Sequence, residues 1–138
     1  MIEKIARLQA YLDARPYARF LGARADSRDG NLVLVLPFSP HLIGNPALPA
    51  LHGGVIGAMM ELSALSQLSL DHPRHSPHQT IDVTIEYLRP GRAQTTYVSA
   101  HLKKVGRRIA NIQVEAWQDS PAQPIAAMRG HFLLGAEG

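Results

Sequence analysis

Gly53-Gly54-Val55-Ile56-Gly57-Ala58-Met59-Met60-Glu61-Leu62-Ser63-Ala64-Leu65-Ser66-Gln67-Leu68-Ser69-Leu70 governs the architecture of this chain. The segment has no proline, lysine or arginine, and Glu61 is its only acid. A helix that is apolar or small nearly all round has no face to give to solvent and belongs inside a protein. The remaining elements have to be arranged around it.

Upstream, Ile2, Ile5, Leu8 and Leu12 recur at helical spacing with Tyr11 beside the stripe, and Pro16 ends the pattern. Residues 20–25 read as a strand, and Asp29-Gly30-Asn31 as a turn into a second strand over residues 32–36, closed by Pro37. Residues 38–51 contain Pro40, Gly44, Pro46 and Pro49, a long loop of the kind that is more often functional than not. Downstream, residues 71–78 form a polar loop. The pattern then changes to period two: Ile81, Val83, Ile85 and Tyr87 alternate with Asp82, Thr84 and Glu86, as in a half-buried strand. Residues 95–105, 107–118 and 125–134 read as further strands, separated by Gly106 and by the stretch from Asp119 to Pro124. Four consecutive strands with short turns predict an antiparallel meander. The expected fold is α+β, a curved antiparallel sheet wrapped around one long central helix, in a single domain over residues 1–138.

Composition agrees. The chain has 138 residues, 46% of them apolar and 18% charged, enough to bury one core and to exclude wholesale disorder. The absence of cysteine excludes a disulfide scaffold, a thiolate zinc site and a cysteine nucleophile. Fourteen Lys+Arg against eleven Asp+Glu give +3, which favours an anionic partner without amounting to a nucleic-acid coat. Nucleic-acid binding ranks last, because the basic residues lack interleaved aromatics and Trp117 is the only tryptophan. No apolar run reaches the ~20 residues that cross a bilayer, and charges every few positions in the first seven residues rule out a signal-peptide core there. A cytoplasmic protein with no membrane partner is expected.

Glu61 is the most informative residue. An ionised carboxylate in a buried helix needs a partner, a shifted pKa or a cavity, and its own helix has no base to offer. Its same-face neighbours on the N-terminal side, Gly54, Gly57 and Ala58, have almost no bulk, leaving a strip open to a slender ligand or another backbone. The competing explanation is an ion pair with an arginine of the sheet. His52-Gly53-Gly54 opens the helix. Glycines there leave backbone N–H groups uncovered at the positive end of the helix dipole, where an acyl-transfer oxyanion would sit. A plain tight turn would also explain them.

Gly53 and Glu61 are eight positions apart, ~12 Å along a helix axis. Groups acting on one carbonyl must each lie within ~3–3.5 Å of the reacting atoms. One straight helix cannot supply both. If both act on one substrate, two copies of the helix run past each other in a homodimer with two shared sites.

These residues resemble a known family. His52-Gly53-Gly54 with an acid nine positions after the histidine is similar to the hotdog-fold acyl-CoA thioesterases, specifically their phenylacetate-pathway (PaaI-like) branch. The likeness covers most of the chain, including Ile81-Asp82-Val83-Thr84-Ile85-Glu86-Tyr87-Leu88-Arg89-Pro90 as the family's post-helix strand and the Gly106-Arg107-Arg108 turn. It implies a homodimer or dimer of dimers that hydrolyses an acyl-CoA to a free acid and CoA. In that reading the Gly53 N–H polarises the thioester carbonyl. Glu61 from the opposite subunit acts as general base or nucleophile, His52 positions thioester or water, and Asn45, seven residues before His52, assists. Gly54, Gly57 and Ala58 would line the acyl path, and no metal or organic cofactor is called for. CoA phosphates would draw on Arg89, Arg107 and Arg108, with Gly106 letting the backbone approach; basic edge and turn residues also serve solubility alone.

Two other functions fit parts of the pattern. A hydratase or dehydratase on the same fold would pair His52 with Glu61 for proton transfer. A non-catalytic acyl-CoA-binding protein would be marked by loss of the acid, which is present. His72, His75 and His78 lie in a proline-broken loop beside Arg74, poor spacing for a metal site, and read as a solvated segment.

Overall fold

A computed structural model describes residues 1–137 of the chain. Elements are numbered in chain order: α1 (Ile2–Asp13), α2 (Pro16–Leu21), β1 (Arg24–Arg28), β2 (Asn31–Leu36), β3 (Ile43–Asn45), β4 (Ala50–Leu51), α3 (Gly53–Asp71), β5 (Gln79–Tyr87), β6 (Thr96–Val105), β7 (Ile109–Trp117) and β8 (Ala126–Leu133). Six strands form one antiparallel sheet in the order β1-β2-β6-β7-β8-β5, and β3 pairs with β4 in a separate two-stranded ribbon.

α3 lies on this sheet chiefly across β6 and β7. Met59, Met60 and Leu68 of the helix meet Val98, Ile112 and Phe132 of the strands, all at most 1% exposed. Full burial of each such side chain is worth ~1.5–3 kcal/mol. The serines of α3 do not break the core, because Ser66 Oγ donates to the Ser63 carbonyl of its own helix at 3.2 Å. This is the sheet over a central helix that the apolar segment implied, and the hotdog fold that the resemblance implied.

Three expectations are corrected. Residues 20–25 are not one strand. Pro16 ends one helix and starts the next, standing at the first position of α2 where its missing N–H costs nothing. Gly22, left-handed at φ 82°, then caps α2, and the strand begins only at Arg24. The four C-terminal strands are not a simple meander either. β6, β7 and β8 follow one another, but β5 pairs with β8 on the far edge. The connection from β5 to β6 is long enough to cross the end of the sheet. On the way Leu88 N–H and Arg89 N–H donate to the Ile125 carbonyl at 2.8 and 3.2 Å, and Leu51 N–H donates to the Gly91 carbonyl at 2.8 Å. Nor is β5 half-buried: as an edge strand that α3 barely covers, it leaves Ile81 50%, Val83 37% and Tyr87 52% exposed.

A bulge interrupts β5. Thr80 faces Phe132 and Asp82 faces His131, so Ile81 is an extra residue. In a regular strand Thr80 would share the outer face with Asp82; the bulge turns it inward, toward α3.

The loop from His72 to His78 is more than a solvated segment. His78 is buried, its Nδ1 accepts from Gly135 N–H at 3.0 Å and its Nε2 donates to the His72 carbonyl at 2.9 Å. Around it His75 N–H donates to the Ala136 carbonyl at 2.8 Å, and Arg74 Nη1 donates to the Gly135 carbonyl at 3.3 Å. No cluster that could hold a metal occurs among the described residues.

Burial holds the His78 imidazole below its ordinary value, and protonation would set an Nδ1–H against the N–H of Gly135. A histidine with a depressed folded-state pKa contributes stability that is present above its unfolded value and lost as pH falls through it. The thermal midpoint should therefore fall as pH drops below about 6.5. His78→Asn should lower stability at neutral pH and flatten that acid slope; an unchanged slope would remove His78 as its source.

Candidate active site

The N-terminus of α3 is built from the ribbon before it. His52 N–H donates to the Leu42 carbonyl at 2.9 Å, and a Cβ on Gly44 would stand 2.7 Å from His52 Cα, so glycine is required for that approach. With His52 fixed in extended geometry as the N-cap, its Nδ1 accepts from Gly54 N–H at 2.9 Å. The ring proton is thereby assigned to Nε2. Val55 and Ile56 N–H groups donate to the His52 carbonyl at 3.0 and 3.3 Å. Gly53 is left as the one amide of the first turn with no acceptor among the described residues. Gly54, expected to line the substrate path, has its N–H engaged by the cap.

Tyr87, at the end of β5, closes over this tip. Its hydroxyl donates to the Gly53 carbonyl at 2.7 Å. A Cβ on Gly57 would lie 3.0 Å from Ile85 Cδ1 and 3.4 Å from Tyr87 Oη. The strip of small residues is thus filled at Gly57 by β5 side chains of the same chain and is not an open channel there. Ala58 is half-buried and packs against the core.

Glu61 sits two turns along α3, half-buried. Its partner is not an arginine: Glu61 Oε2 accepts from Thr80 Oγ1 at 2.6 Å, and no ion pair to Glu61 occurs among the described residues. One carboxylate oxygen is held and the other retains its lone pairs. That arrangement can orient a water or present a nucleophile. Tyr11, from α1, lies on the same side of α3. Burial raises its phenol above the ordinary value against the opposing charge of Arg15, whose guanidinium stacks 3.2 Å from the ring centroid; Glu61 contributes the smallest effect.

The other expected site residues divide between two ends of the molecule. Asn45 lies in β3, exposed, near the α3 tip, and its Oδ1 accepts from Ala47 N–H at 3.0 Å. Arg89 is exposed just beyond Tyr87 at the same end. Gly106, Arg107 and Arg108 form the β6–β7 turn at the opposite end, the Gly106 N–H donating to the Ile109 carbonyl at 2.9 Å. A strand of nine residues spans ~30 Å, so Arg89 and the Arg107–Arg108 pair do not share one phosphate site within a chain. Thr80 and Tyr87 are not among the site residues expected from the sequence, where Tyr87 counts only as part of the strand pattern. A hydroxyl facing small helix residues is a signal for Tyr87; Thr80 gives none, because its inward turn depends on the bulge.

Comparison with known proteins places the chain in a family. The profile of the thioesterase superfamily matches residues 48–125, more than half of the chain. The medium/long-chain acyl-CoA thioesterase YigI of Escherichia coli K12 is 28% identical over 134 residues, covering 87% of this chain and 86% of that protein. A crystal structure of a Chromobacterium violaceum protein is 35% identical with a TM-score of 0.75, covering 98% of each chain. A phenylacetic acid degradation-related protein of Ralstonia eutropha JMP134 is 21% identical with a TM-score of 0.77, covering 93% of this chain and 99% of that one. No helix among the described residues is long and apolar enough to cross a membrane. The chain belongs to the thioesterase superfamily and is a thioester hydrolase.

Proposed function

We propose that the chain hydrolyses acyl-CoA thioesters to a free carboxylic acid and CoA, in sites shared between two protomers. One observation carries this reading: the single uncommitted amide of the helix tip, Gly53 N–H, and the carboxylate of Glu61 lie on one straight helix, eight residues or ~12 Å apart. In the dimer, Gly53 N–H of one protomer takes the thioester oxygen and Glu61 of the other activates water. Glu61 accepts a proton from the water as its oxygen adds to the carbonyl carbon. The tetrahedral oxyanion is held at Gly53, the C–S bond breaks, and the proton passes to the departing thiolate. In the covalent variant a Glu61 oxygen attacks the carbonyl carbon and the C–S bond breaks, giving a mixed anhydride and the CoA thiolate; water then opens the anhydride to the free acid and the Glu61 carboxylate, its proton passing to the thiolate. Thr80 fixes the carboxylate in either case. His52 caps the tip and carries its ring proton on Nε2, free of the cap.

β5 supports the dimer. The other sheet edge, β1, is short, alternates charge through Arg24, Asp26 and Arg28, and has its Ala25 N–H taken by Gln9 Oε1 at 2.9 Å. β5 by contrast is nine residues long and presents exposed Ile81 and Val83, an edge that calls for a partner strand. Gly53 lies against Tyr87 and Glu61 against Thr80. Antiparallel pairing of β5 with its copy about a two-fold near Val83 would bring each tip to the other protomer's acid.

The acyl group is sought by thiol release on a panel of aryl, short, medium and long acyl-CoAs, with an enoyl-CoA hydration assay as control for the hydratase chemistry. Glu61→Gln should keep the fold and ester binding while lowering kcat by at least ~100-fold; unchanged turnover would refute its role. Thr80→Val should lower kcat ~10-fold with little effect on KM, because it frees the carboxylate to rotate. The chain has no cysteine, so Val83→Cys offers a clean test of the interface. Oxidation should give a disulfide-linked dimer that Asp26→Cys on the β1 edge does not, and a monomer by light scattering would rule the shared site out.

A further inference from the structure

Beyond the paired turn arginines, the geometry points to Arg74 as a third guanidinium of an anion site that Glu137 of the same chain occupies until a phosphate displaces it. The proposal rests on the acyl-CoA reading and identifies which residues take the nucleotide end of that substrate.

Arg74, Gly106, Arg107, Arg108 and Glu137 border one depression of about 770 Å³ at the end of the sheet where β6 turns into β7. Three arginines line it, and Glu137 is the only carboxylate side chain among the described residues of its lining. Arg74 is not a loose surface residue. Its side chain is only 16% exposed, with Nη1 tied to the Gly135 carbonyl at 3.3 Å and standing 3.5 Å from Glu137 Oε1. The Glu137 side chain is 84% exposed. An ion pair with one partner that exposed is weak and readily exchanged, whereas a phosphate offers three acceptors to planar guanidinium forks. Arg74 is thus preorganised while its counter-ion is replaceable.

Position favours the same ligand. The loop carrying Arg74 follows the C-terminus of α3 and precedes Thr80, so the depression lies on the Glu61 side of the molecule, not on the Gly53 side. From Glu61 to the end of α3 is ten residues, ~15 Å of helix axis. An extended pantetheine arm bridges such a span. The protomer that supplies the acid would then also hold the phosphates, and its partner the thioester oxygen.

The test uses a probe that needs no turnover. Adenosine 3′,5′-bisphosphate is titrated calorimetrically into the intact protein, with adenosine as the uncharged control. The bisphosphate should bind and adenosine should not. Arg74→Met should weaken the bisphosphate ~10-fold, Arg74→Lys should fall between the two, and Glu137→Gln should tighten it ~3-fold. In kinetics, Arg74→Met should raise KM for an acyl-CoA ~10-fold relative to KM for the same acyl-pantetheine thioester. Equal bisphosphate affinity in the parent chain and Arg74→Met, or weaker binding in Glu137→Gln, would overturn the proposal. Failure to release thiol from any thioester would instead sink the acyl-CoA reading, and the titration would still decide the anion site.

Discussion

The burial of α3 is the constraint from which the rest follows. A helix whose only charges are Glu61 and the terminal Asp71 is stable only when covered, and the sheet must therefore pass across it. Once α3 lies over β6 and β7, the sheet's inner positions must be apolar, and Val98, Ile112 and Phe132 meet it there. The same placement leaves β5 at the margin, where the helix does not shelter it. Core packing in the middle of the sheet and an unsatisfied edge at its side are two consequences of one apolar helix.

Chemistry enters where local rules are broken around that helix. Glycine at the tip of α3 would normally expose three or four amides; His52 takes one and its own carbonyl two more, so that Gly53 is singled out. A carboxylate in the middle of the helix would normally seek a cation. Here it receives a hydroxyl from Thr80, which holds its orientation and leaves its charge unneutralised. Tyr87 and Ile85 then fill the grooves over Gly53 and Gly57, fixing the end of β5 to the helix tip. Each device acts through a backbone group or a short side chain, and together they keep donor and acid at a fixed axial distance.

In the proposed shared site, that fixed distance would tie hydrolysis to assembly. Rigid helical geometry keeps Gly53 and Glu61 too far apart within a chain to act on one carbonyl, and the proposed dimer would bring them together between two chains. The long exposed edge of β5 and the covered, charged edge of β1 give the molecule one side suited to pairing and one that resists it. The end of the sheet that gathers Arg74, Arg107 and Arg108 adds a cationic terminus on the acid's side.

The identity of the central helix, the α+β class, the turn at Asp29-Gly30 and the places of His52, Gly53 and Glu61 along that helix could all be read from residue order. They depend on periodicity, helix pitch and the scarcity of charge, which are local properties. The structure alone decided what depends on contacts between distant segments. Pro16 starts α2 because Leu21 and Ala18 have a core to enter. β5 joins β8 because the residues after Tyr87 can cross the sheet end. His78 is buried because residues 135–136 fold back over it. Thr80 reaches Glu61 only because one extra residue, Ile81, reverses the facing of the strand, and a bulge is set by the pairing partner, which period-two alternation cannot reveal.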